Sequence, residues 1–341
     1  MALPTPIQRV LVPRRVVRDG QTLSVEIQLL LALKKLVRMP VAETLPVEDG
    51  RRELLLQLLM VGGRQHVGAL RDLTVDGAEG PLAARLYIPT ERTGADPAPT
   101  LLFFHGGGWM YGDLESHDAA CRFVAEHSGV QLLAIDYRLS PEHRFPAAVE
   151  DCRAAYRWLV EHADEVNADP TRLAVGGDSA GGNLTAVTAV WAAEQGLPLA
   201  FQLLIYPGTS FAEPKSVSRR TLGTGFFLTD AFMGGAEAAY FGDADGAADD
   251  RARSRSNPDA SPLLRENLPE NLAPAHVATA GFDPLRDEGE AYAELLEKNG
   301  VAVTRTRYPG LIHGFLNIVG AGKDAPAAVR DIAATLRTAL S

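Results

Sequence analysis

Ser179 sits in Gly177-Asp178-Ser179-Ala180-Gly181, the G-x-S-x-G spacing that carries a nucleophilic serine on a sharp strand-to-helix turn. Its small neighbours relieve the crowding such a turn creates. The apolar run Leu173-Ala174-Val175 leads in as a strand, and Asn183 to Trp191 leads out as a helix. Upstream, His105-Gly106-Gly107-Gly108-Trp109 follows the buried-strand run Leu101-Leu102-Phe103-Phe104. A glycine loop there can aim backbone N–H groups at a developing oxyanion. Each motif has a plainer reading, an ordinary turn for Gly106 to Gly108 and a helix N-cap for Ser179. Together, in this order, they point to acyl transfer.

A serine nucleophile needs a base, and the base needs an orienting acid. On an open α/β sheet the chain order is serine, acid, histidine. Two histidines follow Ser179. His276 opens an apolar run and reads as a packed or surface side chain along a strand. His313, in Leu311-Ile312-His313-Gly314-Phe315, follows the last strand and Tyr308-Pro309-Gly310, on the edge where such sheets carry their sites. His313 is the expected base. Asp283 leaves the end of the His276 strand and is the expected acid. It also suits a helix N-cap before Pro284, and Asp287 is its rival one turn later.

The elements that must position these residues alternate along the chain. Residues 21 to 62 read as helical, with Leu23, Ile27, Leu30, Leu31 and Lys34 on one face and Glu53 to Met60 as a second amphipathic segment. Leu70–Asp76 and Leu82–Ile88 read as a hairpin around Gly77 to Gly80. Further strands are expected at Leu101–Phe104, Gln131–Ile135, Leu173–Val175, Phe201–Tyr206, His276–Ala280 and Val301–Arg307, with helices between them. This pattern is α/β: an eight-stranded, mostly parallel sheet flanked by helices and opened by an antiparallel pair, with the serine after the fifth strand. That is the α/β-hydrolase pattern. Residues 209–262 break the rhythm with Gly, Ala, Ser and Asp and a cluster of Phe226, Phe227, Phe232, Tyr240 and Phe241. They read as an insertion, mobile over 243–255. The expected division is an N-terminal cap segment 1–65, a catalytic domain 66–208 with 263–341, and an inserted cap segment 209–262.

Composition narrows the partners. A chain of 341 residues with 46% hydrophobic and 22% charged residues is an ordinary globule, and its net charge of −10 disfavours nucleic acid or anionic membrane as partner. The two cysteines, Cys121 and Cys152, make neither a disulfide framework nor a metal spacing, and Cys152 keeps helical step with Val149, Tyr156 and Leu159 as a core residue. Residues 1–20 hold four arginines but no apolar signal region, and Lys34 and Lys35 cut the apolar run 28–33 far short of a membrane span. A cytoplasmic enzyme without stable membrane insertion is expected. Gly223-Thr224-Gly225 fails as a dinucleotide fingerprint because Leu228 stands at its last glycine, and H-E-x-x-H is absent.

The residues resemble the hormone-sensitive-lipase-like esterases, the bacterial family IV, in their GDSAG subgroup. The matching blocks are His105 to Trp109; Asp136-Tyr137-Arg138-Leu139-Ser140-Pro141-Glu142-His143 with Phe145-Pro146-Ala147-Ala148; Gly177 to Asn183; and Asp283-Pro284-Leu285-Arg286-Asp287-Glu288-Gly289 with His313-Gly314-Phe315. Residues 1 to about 65 and 209–262 match only in position, as that family's cap. The resemblance implies Ser179 as nucleophile, His313 as base and Asp283 as acid, with the Gly106, Gly107 and Ala180 amides as oxyanion hole. It implies a buried Arg138–Glu142 network beneath the site and Asp287 as support for the acid loop. Trp109, Tyr111 and Phe315 are candidate pocket walls. The expected activity is hydrolysis of small, short-acyl esters through an acyl-enzyme, without metal or organic cofactor. A lactone, carbamate or N-acyl bond would use the same set, and a non-catalytic small-molecule receptor would lack the histidine that is present here. The sequence leaves the oligomeric state open, a homodimer included.

Overall fold

The computed structural model describes residues 5–12, 14–92, 96–212, 214–242 and 248–341. Its core is an eight-stranded sheet: β1 (Ala69–Gly77), β2 (Gly80–Ile88), β3 (Ala98–Phe104), β4 (Gln131–Ile135), β5 (Ala168–Asp178), β6 (Phe201–Ile205), β7 (Ala275–Phe282) and β8 (Val303–Ile312). The spatial order is β8-β7-β6-β5-β3-β4-β2-β1. β2 pairs antiparallel with β1 and β4, and the other pairings are parallel. The expected strands are all present.

Alternation assigns each strand residue to a face. Leu102, Phe104, Leu133 and Ile135 enter one core, with Leu159, Leu184, Val187 and Tyr292 from the helices. Leu101, Phe103, Leu132 and Ala134 enter the other, with Cys121, Val124, Ile332 and Leu336. The first core lies under α5 (Ala147–Glu161), α6 (Ala180–Glu194) and α10 (Arg286–Lys298). The second lies under α4 (Asp118–Ser128) and α11 (Asp324–Ala339). Both faces are covered, which is why the central strands are continuous apolar runs.

Register places the reactive ends. Phe104 of β3 pairs with Gly177 of β5, so the His105 loop leaves the sheet beside the Ser179 turn. Phe282 of β7 pairs with Ile312 of β8, so Asp283 and His313 leave side by side.

Two segments lie outside the sheet. Ahead of β1 come α1 (Thr5–Leu11), α2 (Val25–Leu36) and α3 (Val47–Gly62). The helical reading of 21–62 is interrupted there: Gln21–Thr22 pairs with Val17–Arg18 as a short ribbon, and a 3₁₀ turn at Ala42–Thr44 separates α2 from α3. Between β6 and β7 come α7 (Val217–Leu222), α8 (Asp230–Phe241) and α9 (Ala248–Arg255). Of the stretch expected to be mobile, 243–247 lies outside the described residues, and α9 forms much of the rest. The two segments touch. Ala42, Leu54 and Leu58 share an apolar cluster with Ala236, Phe227 and Phe232. Thr229 Oγ1 donates to Glu43 Oε1 at 2.7 Å, and Lys34 Nζ lies 5.1 Å from the Phe227 ring centroid. Among the described residues no helix is long and apolar enough to cross a membrane.

Candidate active site

Ser179 occupies the turn between β5 and α6 with φ 56° and ψ −115°. A non-glycine residue held there costs on the order of 1–3 kcal/mol, and surrounding bonds must fix it. They are present. Its N–H donates to Ile205 O at 2.9 Å, and its carbonyl accepts from Asn183 at 3.0 Å and Gly208 at 3.2 Å. The turn also requires a bare backbone at Gly181, where a Cβ would stand 1.8 Å from Phe104 O. The G-x-S-x-G spacing is thus a packing requirement of β3 against α6.

Ser179 Oγ lies 2.8 Å from His313 Nε2, and His313 Nδ1 lies 2.7 Å from Asp283 Oδ2. The other oxygen of Asp283 accepts from Leu285 N at 2.8 Å, so this fully buried carboxylate is fixed at both ends. In such a chain the imidazole can take the hydroxyl proton while the carboxylate stabilises the resulting charge. The rival groups stand elsewhere. His276 is buried against Thr304 Oγ1 at 2.8 Å, and burial pushes its pKa down to about 4. Asp287 accepts from Ser218 N at 2.7 Å and from Arg286 Nε at 2.9 Å, tying the α7 segment to the loop that carries Asp283.

The glycine loop corrects one expectation. The Gly106 N–H donates to Asp178 Oδ1 at 2.8 Å and so is not available to an oxyanion. Among the described residues, the Gly107, Gly108 and Ala180 amides give no hydrogen bond to protein. Gly107 and Gly108 border the cavity at Ser179, and Gly107 adopts φ 123°, where a Cβ would meet Tyr111 O at 2.2 Å. The amides left free to meet a ligand are therefore those of the second and third glycines of the run, with Ala180.

Asp178, beside the serine, organises the surroundings. It faces His117 Nε2 at 3.3 Å and accepts from Tyr206 Oη at 3.3 Å. Burial alone would raise its pKa, but attraction to His117 and the hydrogen bonds from His117 and Gly106 hold it below its ordinary value. Tyr206 also packs on His313, with ring centroids 4.6 Å apart. His105 anchors the loop from behind. Burial, then repulsion from His117, lowers its pKa to about 4, and its neutral ring stacks on Tyr137 at 4.3 Å. Only the motif membership of Asp178 and His105 was visible in sequence; His117 and Tyr206 carried no signal there.

Of the candidate pocket walls, only Trp109 lines a cavity beside Ser179, of about 50 Å³, where it stacks on Tyr240 at 4.6 Å. Tyr111 and Phe315 are core residues instead. Tyr111 is buried against Phe232 and Gly50, and Phe315 is buried between Tyr206 and Tyr308. The Arg138–Glu142 pair does not form either. Arg138 binds the buried Asp151 through Nε at 2.8 Å, while the half-exposed Glu142 receives Arg51 of α3 at 2.7 Å. Arg138 also meets Glu79 at 2.8 Å, and Arg51 also meets Glu48 at 3.1 Å. No three His, Cys, Asp or Glu side chains gather to hold a metal among the described residues.

The family described as alpha/beta hydrolase fold matches residues 101–317. The chain belongs to it. Within that fold it is a hormone-sensitive-lipase-like carboxylic ester hydrolase. It is 41% identical to the carboxylic ester hydrolase LipN of Mycobacterium tuberculosis, over 99% of this chain and 89% of LipN. It is 37% identical to an ethyl acetate hydrolase of Pseudomonas putida, over 80% of this chain and 84% of that protein. The hyperthermophilic esterase of Pyrobaculum calidifontis superposes with a TM-score of 0.82 at 34% identity, over 99% of each chain.

Proposed function

We propose that this esterase is a serine carboxylesterase that cleaves short-acyl esters through an acyl-enzyme on Ser179. The observation that carries the reading is the continuous hydrogen-bond chain Ser179–His313–Asp283 beside the unoccupied donors of Gly107, Gly108 and Ala180. Ser179 Oγ attacks the ester carbonyl carbon as His313 Nε2 takes its proton. The carbonyl oxygen becomes an oxyanion at the three amides, where preorganised donors are worth roughly 3–4 kcal/mol each. Collapse of the intermediate breaks the C–O bond, and His313 returns the proton to the leaving alcohol. Water then attacks the acyl-enzyme with His313 as base, releasing the acid and regenerating Ser179. Asp283 holds the imidazole in register, and Asp178 holds the glycine loop against the elbow.

The segments 1–65 and 209–262 act as the cap over this site, on a catalytic domain of 66–208 and 263–341. Their contacts through Leu54, Leu58, Phe227 and Phe232 support that assignment. The name of the Pseudomonas putida relative, an ethyl acetate hydrolase, agrees with a short acyl group. Ser179→Ala is the test. Hydrolysis of ethyl acetate or a p-nitrophenyl ester should fall by at least about 10⁴-fold with the circular dichroism spectrum unchanged. Retained turnover would place the nucleophile elsewhere.

A further inference from the structure

Two compartments of unlike size meet at Ser179. The smaller, about 50 Å³, is lined mostly by apolar side chains such as Trp109, Phe211, Leu228 and Met233, with Ser210, Arg219 and Glu288 among its polar members. The other begins as a cavity of about 60 Å³ beside His313 and continues into a chamber of about 310 Å³ between α2, α3 and the loop after β8. Both parts share Lys34, Gln57, Leu58, Phe227 and His313 in their walls. Apart from Lys34, Gln57 and His313, the side chains lining the large chamber are apolar. Leu33, Val37 and Met60 on its wall are exposed, so its mouth is apolar as well.

The reaction proposed above decides which half of an ester enters which compartment, and the inference rests on that reading. The leaving oxygen has to receive its proton from His313 Nε2, so the alcohol portion lies on the His313 side. The carbonyl oxygen points at the Gly107, Gly108 and Ala180 amides. The acyl tail takes the remaining direction, past Ala180 into the small compartment. We propose that the substrates are acetyl- and propionyl-sized esters of long or bulky apolar alcohols, with the large chamber as the alcohol site.

Two polar side chains in the acyl compartment add to its size limit. Glu288 Oε1 accepts from Thr209 N at 2.8 Å, and Arg219 Nε is buried without a hydrogen-bond partner. A long apolar acyl chain would have to fit a space of about 50 Å³ beside these buried polar groups without offering them a hydrogen bond. An alkyl alcohol has room along the apolar walls of the larger chamber, and each buried methylene raises the specificity constant by up to about fourfold.

Two matched series test the partition: acetates of primary alcohols from ethanol to decanol, and ethyl esters of acids from acetic to decanoic. kcat/KM should climb along the acetate series and fall at least tenfold beyond butanoate in the ethyl series. The opposite pattern, or equal profiles, overturns the proposal. Ala321→Phe on the chamber wall and Leu33→Glu at its exposed mouth should each lower the decyl-to-ethyl acetate ratio at least tenfold. An unchanged ratio in both folded variants also overturns it. Ser179→Ala runs beside both series. Activity remaining in that variant counts against the nucleophile, whereas full Ser179 dependence with inverted profiles counts against the partition alone.

Discussion

Asp178 lies next to the reactive serine, yet its partners are Gly106, His117 and Tyr206. It locks the glycine loop to the elbow, and that lock takes Gly106 away from the oxyanion. The direction of an amide depends on a carboxylate far along the chain, so the motif alone did not show which glycine amides stay unbonded. Arg138 and Glu142 were misread for the same reason, because Asp151 and Arg51 are chosen by tertiary approach. Chain order and strand ends restrict Ser179, Asp283 and His313 each to few candidates in sequence, and the structure brings the three within hydrogen-bond reach. Asp283→Asn should lower kcat about 10⁴-fold while KM changes little, because the imidazole loses the partner that orients it. Asp287→Asn should cost far less in kcat and lower the melting temperature, since the amide keeps one acceptor oxygen for the two donors Ser218 N and Arg286 Nε and loses the charge that holds Arg286. Steady-state rates and thermal melts on both variants check this, and the reverse ranking would give the acid role to Asp287.

The sheet was legible at the scale of elements because short apolar runs separated by helical stretches leave few other arrangements. The packing of the outer segments was not. Leu54 against Ala236, or Phe227 against Lys34, follows from shape and leaves no periodic trace in sequence. One side chain anchors the insertion. The buried Asn183 of α6 donates from Nδ2 to Gly208 O and Ala260 O, both at 2.8 Å, gripping the segment at its two ends. Asn183→Ala leaves these carbonyls unpaired and should cost on the order of 2 kcal/mol. Denaturant titration checks the loss, and limited proteolysis should find faster cleavage within 209–262. Unchanged stability would show that water replaces the amide. The N-terminal segment supplies the α2 wall of the large chamber. Deleting residues 1–40 should reduce activity, flatten the chain-length preference and expose apolar surface. A truncated enzyme with the full-length profile would remove that segment from the site.

Across the whole molecule, buried ionisable groups oppose one another in pH dependence. His105 and His276 have pKa values of about 4, below the ordinary 6.5, so the unfolded chain takes up protons first and stability falls as pH drops through that window. Glu288 runs the other way. Burial raises its pKa from 4.5 to about 7, so its contribution is present below about 4.5 and is lost as pH rises through about 7. Glu288→Gln removes that loss while leaving an oxygen to accept from Thr209. The variant should therefore gain on the parent between pH 5 and pH 8, by up to roughly 3 kcal/mol. Paired denaturation curves at the two pH values check the sign, and a pH-independent difference would mean that Glu288 is ionised throughout. A fluorophosphonate mimics the tetrahedral intermediate and stays on the serine it attacks, and peptide mapping of the labelled enzyme reads that serine directly. One adduct per chain on Ser179, with hydrolysis lost in proportion to labelling, is the expected result; an adduct on another serine, or full activity with Ser179 modified, would contradict it.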